Sequence, residues 1–575
     1  MSLRFATWSS LLALQAFALL LFHQQWPRVG HDLSTFLPRM VDVYLHYRCN
    51  GLSLQWWTPS LGGGLPAFPN PEHTQFMLGQ FLLFLTDPWS ASLLNFLLPL
   101  ALGFLLVVKF CRDFLDWSAE AALVAAAVFS TNNFGFYHAF SGHVGYATFP
   151  LVALLPFCLH RRTAAPLAIA LLAAGAAVIA MTGGYAIIVI FALSALLLAP
   201  ALAWHDPTAF PWKRSVGVLI GGAALALLAA AAKICAVALY LGQFPREVSY
   251  SHPAADFLPA IGSLAAQLFA AKPVFLLQWL VDLDPATLFA RLAGPEVEDA
   301  GVSPVALVLV PLGCLPFFRN WSPARCAAAV ATGLALWIAS EFTLGRGLLW
   351  PHLQPLPFLR SMHANSRYAA AFLLPVALLS GLGVELLRSR LRPAMFRTTA
   401  AAAVLVSLAS LVTFRRQMNS LWFAGFDAIE IQRVWTEVRA GESFRPITTI
   451  ADVREDRVFA ARASNLKPYE PIFGYGYPGP AFRSQLHPGP ILAPGADGTL
   501  NFNFPLAFVA PDLAGARPFA RFSDNRLPDL QLLLDRRQPD WPLPLVQRIA
   551  NVLSVAGWLA IGATAVSQTT FFRRP

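Results

Sequence analysis

Long apolar runs alternate with short basic turns and a few long polar segments along this chain of 575 residues. A helix needs about 20 residues to cross a hydrocarbon core of about 30 Å. Runs of that length predict about twelve transmembrane helices, at residues 8–24, 89–110, 117–134, 144–160, 164–181, 184–203, 214–241, 303–318, 323–342, 367–387, 397–414 and 547–568. The pattern therefore predicts an all-α polytopic membrane protein.

The composition agrees with this pattern. Hydrophobic residues make up 56% of the chain and charged residues only 13%, whereas soluble domains carry about 25% charged residues. The formal charge of +10 is explained by arginines that orient the helices, and no basic patch interleaved with aromatic residues indicates nucleic-acid binding. The six cysteines are scattered without CxxC spacing, so the sequence predicts no disulfide framework and no metal cluster.

The basic residues predict the orientation. Lys and Arg gather in the short loops on one side of the predicted membrane, as at Arg161, Arg162, Arg388 and Arg390. Because the positive side faces the cytoplasm, we expect both termini in the cytoplasm. Four long segments would then lie outside, at residues 25–88, 242–302, 343–366 and 415–546. Function is expected on this extracytoplasmic face.

These segments also predict the domain organisation. Residues 1–414 form a transmembrane domain that includes the first three outer segments, and residues 547–575 form the last helix with a cytoplasmic tail. Residues 415–546 form a small extracytoplasmic domain, α/β or β-rich, because its Pro and Gly clusters break helices. In the first outer segment, which we call the first loop (residues 25–88), the apolar stretch 74–85 is too short to span and predicts an interfacial helix.

The first loop carries the most unusual chemistry of the chain. Asp32 follows the first predicted helix by about ten residues and stands next to His31. That spacing keeps its carboxylate close to the membrane surface, where it can meet the head group of a lipid. A solvated loop aspartate is the alternative, and the residues that follow favour a functional role.

Those residues carry a family resemblance. Residues 51–59, Gly-Leu-Ser-Leu-Gln-Trp-Trp-Thr-Pro, and residues 61–66, Leu-Gly-Gly-Gly-Leu-Pro, follow Asp32. This order resembles the first outer loop of the YfhO-like bacterial membrane proteins of the GT-C glycosyltransferase superfamily, which have an acidic residue after helix one, a Leu-Trp-Asn-Pro segment and a glycine-rich turn. The chain departs from that pattern at Thr58, where the family often has Asn, and at Gln55, where it often has Pro or Leu.

The resemblance continues further along the chain and covers about residues 28–390. It includes Ser141-Gly142-His143, the segment 355–360 that ends in Arg360, and Ser366-Arg367-Tyr368. The resemblance implies a GT-C-like fold, and a transfer of sugar from a polyprenyl-phosphate carrier to an extracytoplasmic glycan, lipid or cell-envelope polymer, with inversion at the sugar carbon. The donor, the acceptor and membrane lipids are the partners expected on this reading.

The expected roles follow from that chemistry. A single displacement needs one carboxylate to take the proton of the attacking hydroxyl, and Asp32 is the best candidate for this base. The leaving group is already a phosphate anion, so the site needs a cation near it more than it needs an acid. Arg367 and Arg360 are the candidates, since a guanidinium matches phosphate oxygens; an interfacial structural role is the alternative for both.

Five further residues are candidates for binding the acceptor or the donor sugar, and each has a structural alternative. They are Glu72, His73, His143, Trp56 and Trp57. The carboxylates and histidines lack HxxxH spacing, so no metal ligand is assigned, and a divalent metal stays an alternative. Aromatic anchoring at the membrane interface is the alternative for the two tryptophans.

Two other classes of protein stay open. A transporter or lipid flippase agrees with twelve helices and with Lys233 placed midway along the predicted span 214–241, where an unpaired charge costs about 2.5 to 3.5 kcal/mol. The lack of an internal repeat and the long outer segments speak against it. A non-catalytic scaffold for envelope assembly would keep the fold without needing Asp32.

Overall fold

A computed structural model of the protein describes residues 3–23, 26–243, 257–269, 272, 300–319, 321–356, 359, 365–412, 426–441, 445–468, 487–493, 501, 527–540 and 542–571. The described chain is mostly helical. Its α-helices are α1 Leu3–His23, α2 Leu33–Asn50, α3 Leu78–Leu82, α4 Pro88–Asp113, α5 Ala119–Ser130, α6 Asn133–Ser141, α7 Leu155–Leu159, α8 Ala165–Met181, α9 Tyr185–His205, α10 Trp212–Ala229, α11 Ala231–Gln243, α12 Phe257–Phe269, α13 Ala306–Cys314, α14 Pro323–Leu344, α15 Trp350–Leu353, α16 Leu373–Arg388, α17 Pro393–Ala409, α18 Ala428–Arg439, α19 Leu527–Leu534 and α20 Leu545–Phe571.

Short 3₁₀ helices and strands complete the described structure. The 3₁₀ helices are Val144–Leu154, Leu315–Phe318, Asn365–Phe372 and Glu455–Arg457. The strands are β1 Arg28–Val29, β2 Trp57–Thr58, β3 Leu65–Pro66, β4 Phe426–Asp427, β5 Thr449–Ala451, β6 Ala463–Asn465 and β7 Gly489–Pro490. They form two antiparallel pairs, β1 with β4 and β2 with β3, and one three-stranded sheet in the order β6-β5-β7.

The prediction of several apolar, membrane-crossing helices is confirmed in its coarse form. Among the described residues, seven helices are long and apolar enough to cross a membrane: Arg4–His23, Pro88–Asp113, Tyr185–His205, Trp212–Ala229, Pro323–Leu344, Asn365–Arg388 and Leu545–Gln568. Four of the other predicted spans correspond to shorter apolar helices. The part of the chain that the structure describes thus has a helical segment at each predicted span, and seven of its helices are long enough to cross a membrane.

Local chemistry explains where a predicted span is divided. The span predicted at 117–134 ends as a helix at Ser130, and a new helix begins at Asn133. Asn132 begins it, because its side chain accepts a hydrogen bond from the Gly135 amide at 3.0 Å, which satisfies one of the free donors of a helix start. A prediction from hydropathy alone does not detect such a capping hydrogen bond.

Lys233 is a correction to the sequence reading. It does not lie midway along a span, because the span ends at Ala229 and Lys233 belongs to the next helix, α11. Its Nζ donates to the carbonyl oxygens of Phe68 and Asn70 in the first loop, at 2.7 Å each. The buried ammonium therefore holds the first loop against the helices and gives no evidence for a transport pathway.

The first loop contains more helix than its Gly- and Pro-rich composition predicts. It contains the helix α2, which has Pro38 inside it, where the missing amide hydrogen removes one bond of the helix. The interfacial helix predicted over 74–85 is reduced to five residues, Leu78–Leu82. Buried residues of α2 and of α18 share one hydrophobic cluster, which includes Leu37 and Trp435.

The described part of the segment 415–546 packs directly on the first loop. Strand β1 of the loop pairs with β4, the first strand in the described part of that segment. The amide nitrogens of Gly62 and Gly63 donate to Asn465 and Ser464, at 2.9 and 2.8 Å. Loop and segment thus share one hydrogen-bonded core, which joins parts of the chain that are far apart in sequence.

A buried polar cluster adds to this contact. The Asp42 carboxylate accepts from Gln55 Nε2 at 2.8 Å and from Ser60 Oγ at 2.6 Å. Arg536 donates to Ser60 Oγ at 3.0 Å and lies 3.9 Å from Asp42. Because both charges are buried, they are tolerated only with such hydrogen bonds.

Candidate active site

Two glycines allow the start of the first loop to approach the end of α6. A Cβ on Gly30 would lie 1.9 Å from the Phe140 carbonyl oxygen, and a Cβ on Gly142 would lie 2.5 Å from the Leu33 nitrogen. The contact is backbone against backbone, and the Asp32 amide donates to the Ser141 carbonyl at 3.1 Å. The motifs Gly30-His31-Asp32 and Ser141-Gly142-His143 therefore lie side by side.

Asp32 lies between two imidazoles. Its Oδ1 is 2.9 Å from His31 Nε2, and its Oδ2 is 2.5 Å from His143 Nε2. The Asp32 side chain is 8% exposed, that of His143 is 19% exposed and that of His31 is 42% exposed. The site is thus a nearly buried carboxylate that remains open to solvent on the His31 side.

These partners determine the electrostatics of the carboxylate. Burial of Asp32 opposes ionisation, but the nearby His143 and His31 outweigh it, so the pKa of the Asp32 carboxyl is well below its usual value. The hydrogen bond from His31 to Asp32 raises the pKa of His31, and partial burial offsets only part of that rise. Asp32 is therefore ionised throughout the neutral range.

A second histidine stands behind His143. The Nδ1 atoms of His138 and His143 are 2.7 Å apart, and His138 is fully buried. Gly142 brings them together, since it ends α6 in a left-handed conformation with φ 97° and its amide and that of His143 both donate to the His138 carbonyl. This is the usual role of glycine after a helix.

Aromatic contacts link this pair to Arg367. The His138 and Tyr146 rings have centroids 4.1 Å apart. Arg367 donates through NH1 to the Tyr146 hydroxyl at 3.0 Å, and its guanidinium carbon lies 5.6 Å from the Tyr146 ring centroid. A cation over an aromatic face is favourable. Contacts therefore run from Asp32 through His143, His138 and Tyr146 to Arg367.

Glu72 lies where the first loop packs closely against Gly183 and Tyr185. Gly183, at φ 78°, allows the loop to pack there, since a Cβ would lie 2.8 Å from the Pro71 carbonyl oxygen. Beside it, the Tyr185 hydroxyl donates to Glu72 Oε1 at 3.2 Å. Glu72 is half-buried, so its carboxylate remains within reach of a ligand.

His73 lies in a different environment. It is buried and lines a small cavity together with Arg39, Asp42 and Asn70. Burial, aided by the positive charges of Lys233 and Arg39, lowers the pKa of His73 well below its usual value. His73 is thus a neutral residue in the packing of the later part of the first loop against the loop's own helix α2, and its sugar-binding role stays a prediction.

The two tryptophans also occupy structural positions. Trp57 is 2% exposed and packs with Ile450, Leu530 and other residues of the C-terminal segment, which leaves no ring face open to a sugar. Trp56 is half-buried and packs edge-on against Phe68, with centroids 5.1 Å apart. Arg360 lies outside the described residues.

The sequence motifs indicate no role for His138, Tyr146 or Tyr185. His138 precedes His143 by five residues across a glycine, and that spacing is the signal that could have identified the histidine pair. Among the described residues, no group of three or more His, Cys, Asp or Glu side chains has the geometry to hold a metal ion. The cluster around Asp32 consists of charged and aromatic groups joined by short polar contacts and ring contacts.

Known proteins offer limited similarity. Neither a protein-family model nor a curated protein matches this chain. Arabinofuranosyltransferase AftD from Mycobacteria, in a mutant form, is similar over 77% of this chain and 30% of its own, with 17% identity and a TM-score of 0.40. ArnT from Cupriavidus metallidurans, bound to undecaprenyl phosphate, is similar over 79% of this chain and 84% of its own, with 16% identity and a TM-score of 0.36. This chain thus spans less than a third of AftD, and TM-scores this low establish neither its fold nor its function.

Proposed function

We propose that this protein is an integral membrane glycosyltransferase of the GT-C type. It moves a sugar from a polyprenyl-phosphate carrier to an extracytoplasmic glycan, lipid or cell-envelope polymer, with inversion at the sugar carbon. The observation that carries the proposal is the continuous set of contacts from the Asp32 carboxylate to the Arg367 guanidinium. The sequence resemblance of both segments to YfhO-like proteins supports it.

In the proposed reaction, the Asp32 carboxylate accepts a proton and the Arg367 guanidinium stabilises negative charge. Asp32 takes the proton as the O–H bond of the acceptor breaks, and the acceptor oxygen forms a bond to the anomeric carbon of the sugar. The bond from that carbon to the phosphate oxygen breaks, and its electron pair leaves with the phosphate. Arg367 faces the negative charge that develops there, since a guanidinium donates two parallel hydrogen bonds to phosphate oxygens.

The lowered pKa of Asp32 has a consequence for its role as a base. It keeps the carboxylate ionised but also weakens its pull on a proton. An acceptor hydroxyl at Oδ1 replaces His31, which is the more exposed of the two imidazoles. Removal of that hydrogen bond raises the basicity of Asp32 when the acceptor is bound.

Glu72 and the cleft beside His143 supply the surroundings of the reaction. Glu72 contributes an acceptor group for sugar hydroxyls, while the cleft is lined by apolar side chains such as Phe22, Trp89 and Phe96. Glu72 belongs to the first loop, and the cleft includes Leu33 of that loop. The positive-inside pattern supports an extracytoplasmic position for the loop, and the resemblance to YfhO-like proteins supports a bacterial inner membrane.

The test is transfer of radiolabelled sugar from polyprenyl phosphate in proteoliposomes that contain the full chain. Asp32→Asn is expected to reduce the rate by about 10²- to 10⁴-fold, the usual contribution of a general base. Asp452→Asn is the matched control, because Asp452 is exposed and pairs only with the surface residue Lys467 among its ion-pair contacts in the described chain. Retained transfer in Asp32→Asn would exclude the catalytic base, and lipid movement without a glycosidic product would favour a flippase.

A further inference from the structure

His138 is fully buried, and its Nδ1 lies 2.7 Å from Nδ1 of His143. The groups that face the two imidazoles come from several elements. Asp32 and His31 come from the first loop, Tyr137 and Tyr146 flank the His138 ring, and Arg367 comes from the 3₁₀ helix Asn365–Phe372. This enclosure restricts which nitrogen atoms can carry protons.

The first restriction is at Asp32. An ionised carboxylate only accepts hydrogen bonds, and its Oδ2 is 2.5 Å from His143 Nε2. The proton on this contact therefore belongs to Nε2 of His143. If Nε2 were bare, two acceptors would face each other at this distance.

The second restriction is between the histidines. Their Nδ1 atoms are 2.7 Å apart, so one of them donates and the other accepts. Burial, with His143 and Arg367 nearby, lowers the pKa of His138 well below its usual value, which makes His138 neutral. The neutral His138 can either donate its Nδ1 hydrogen or accept one from a cationic His143, and the two arrangements differ in which nitrogen atoms of His143 carry hydrogen.

We propose that His138 is a positioning residue, which donates its Nδ1 hydrogen to His143 Nδ1 and thereby fixes the tautomer of His143 that presents Nε2–H to Asp32. A neutral imidazole carries its hydrogen on one nitrogen only. When His138 occupies Nδ1 of His143 as a donor, the hydrogen of His143 must lie on Nε2. The Asp32 carboxylate then keeps its second oxygen for the acceptor.

The tautomer itself is measurable without any substrate. Full-length protein with ¹⁵N-labelled histidine in lipid nanodiscs is compared with His138→Leu, which removes the donor, and with His138→Asn, whose amide can still donate. His143→Gln assigns the His143 signals, and His352→Leu, at an exposed position, is the matched control. We expect a protonated Nε2 and a bare Nδ1 for His143 in the wild type, in His138→Asn and in the control, and a mixture of tautomers in His138→Leu.

A protonated Nδ1 of His143 in the wild type, or an unchanged tautomer in a folded His138→Leu protein, would overturn the proposal. If His138→Leu does not fold, the wild-type spectrum still decides, because it reports directly which nitrogen carries the hydrogen.

The catalytic consequence rests on the proposed function and has its own readout. We expect kcat to fall in His138→Leu while KM changes little, and His138→Asn to restore most of the loss. Outer partners of metal-bound histidines are worth about 10- to 100-fold, and a fall of similar size is expected. Absence of transfer in the wild type would refute the proposed function, whereas the NMR spectra would still decide the role of His138.

Discussion

The Asp32 carboxylate and the His143 imidazole meet at 2.5 Å, although they belong to two motifs that are far apart in the chain. The contact depends on Gly30 and Gly142, which have no side chain to separate the two backbones. The geometry of the site is therefore determined by main-chain packing as much as by the acidic and basic side chains.

Substitution of these glycines tests that packing. Gly142→Ala combines a positive φ with a Cβ placed 2.5 Å from the Leu33 nitrogen, and Gly30→Ala places a Cβ 1.9 Å from a carbonyl oxygen. We expect each variant to lose about 1 to 3 kcal/mol of stability, as overpacked sites do, together with the Asp32 to His143 contact. Gly217→Ala has open space around its Cβ and serves as the control in thermal unfolding and transfer assays. Equal behaviour of all three variants would contradict the close approach.

The hydrogen bond between His31 and Asp32 predicts a pH dependence. The pKa of His31 is raised in the folded protein, so its contribution to stability is fully present below its unfolded pKa, about 6.5, and is lost as the pH rises through the folded value. His31→Gln should therefore lower the melting temperature most at about pH 5.5 to 6, and the difference from wild type should shrink in alkaline buffer. A difference that is constant across this pH range would argue against a charged His31.

Arg367 is expected to bind the phosphate of the lipid carrier. A hydrogen bond to a charged group contributes about 1.5 to 3 kcal/mol, so Arg367→Met should weaken binding of undecaprenyl phosphate about 10- to 150-fold. Arg367→Lys keeps the charge but loses the bidentate fork, and an intermediate loss is expected. Arg388→Met removes an exposed arginine that pairs with Glu385 and should bind as the wild type does in a fluorescence titration. Unchanged affinity in Arg367→Met would remove this arginine from the phosphate site.

Lys233 should stabilise the first loop. Its Nζ donates to two carbonyl oxygens at 2.7 Å, and Lys233→Met leaves both without this donor, at a cost of about 1.5 to 3 kcal/mol. Lys213→Met changes an exposed lysine near the start of α10 and should cost little. Hydrogen exchange of residues 66–73 measures the effect directly, with faster exchange expected only in Lys233→Met. Equal protection in the two variants would mean that the loop is held by other contacts.

Several elements could be predicted from the sequence because they depend on local patterns. Apolar runs such as those at 89–110 and 184–203 predict helices that the structure contains at Pro88–Asp113 and Tyr185–His205. The sequence pattern does not predict a helix boundary that depends on a single side chain, such as the start of α6 after the capping residue Asn132. Hydropathy averages over about 20 residues and does not register one such hydrogen bond.

The candidate site divides in the same way. The sequence by itself determined that a carboxylate at Asp32, a histidine at His143 and a guanidinium at Arg367 stand just beyond apolar helices, because chain spacing and hydropathy place them there. Only the tertiary structure decided that Trp57 belongs to a buried core and that His138 stands behind His143. These contacts arise from a left-handed glycine turn and from backbones that meet across long separations, and such pairings depend on the packing of the whole chain rather than on any local pattern.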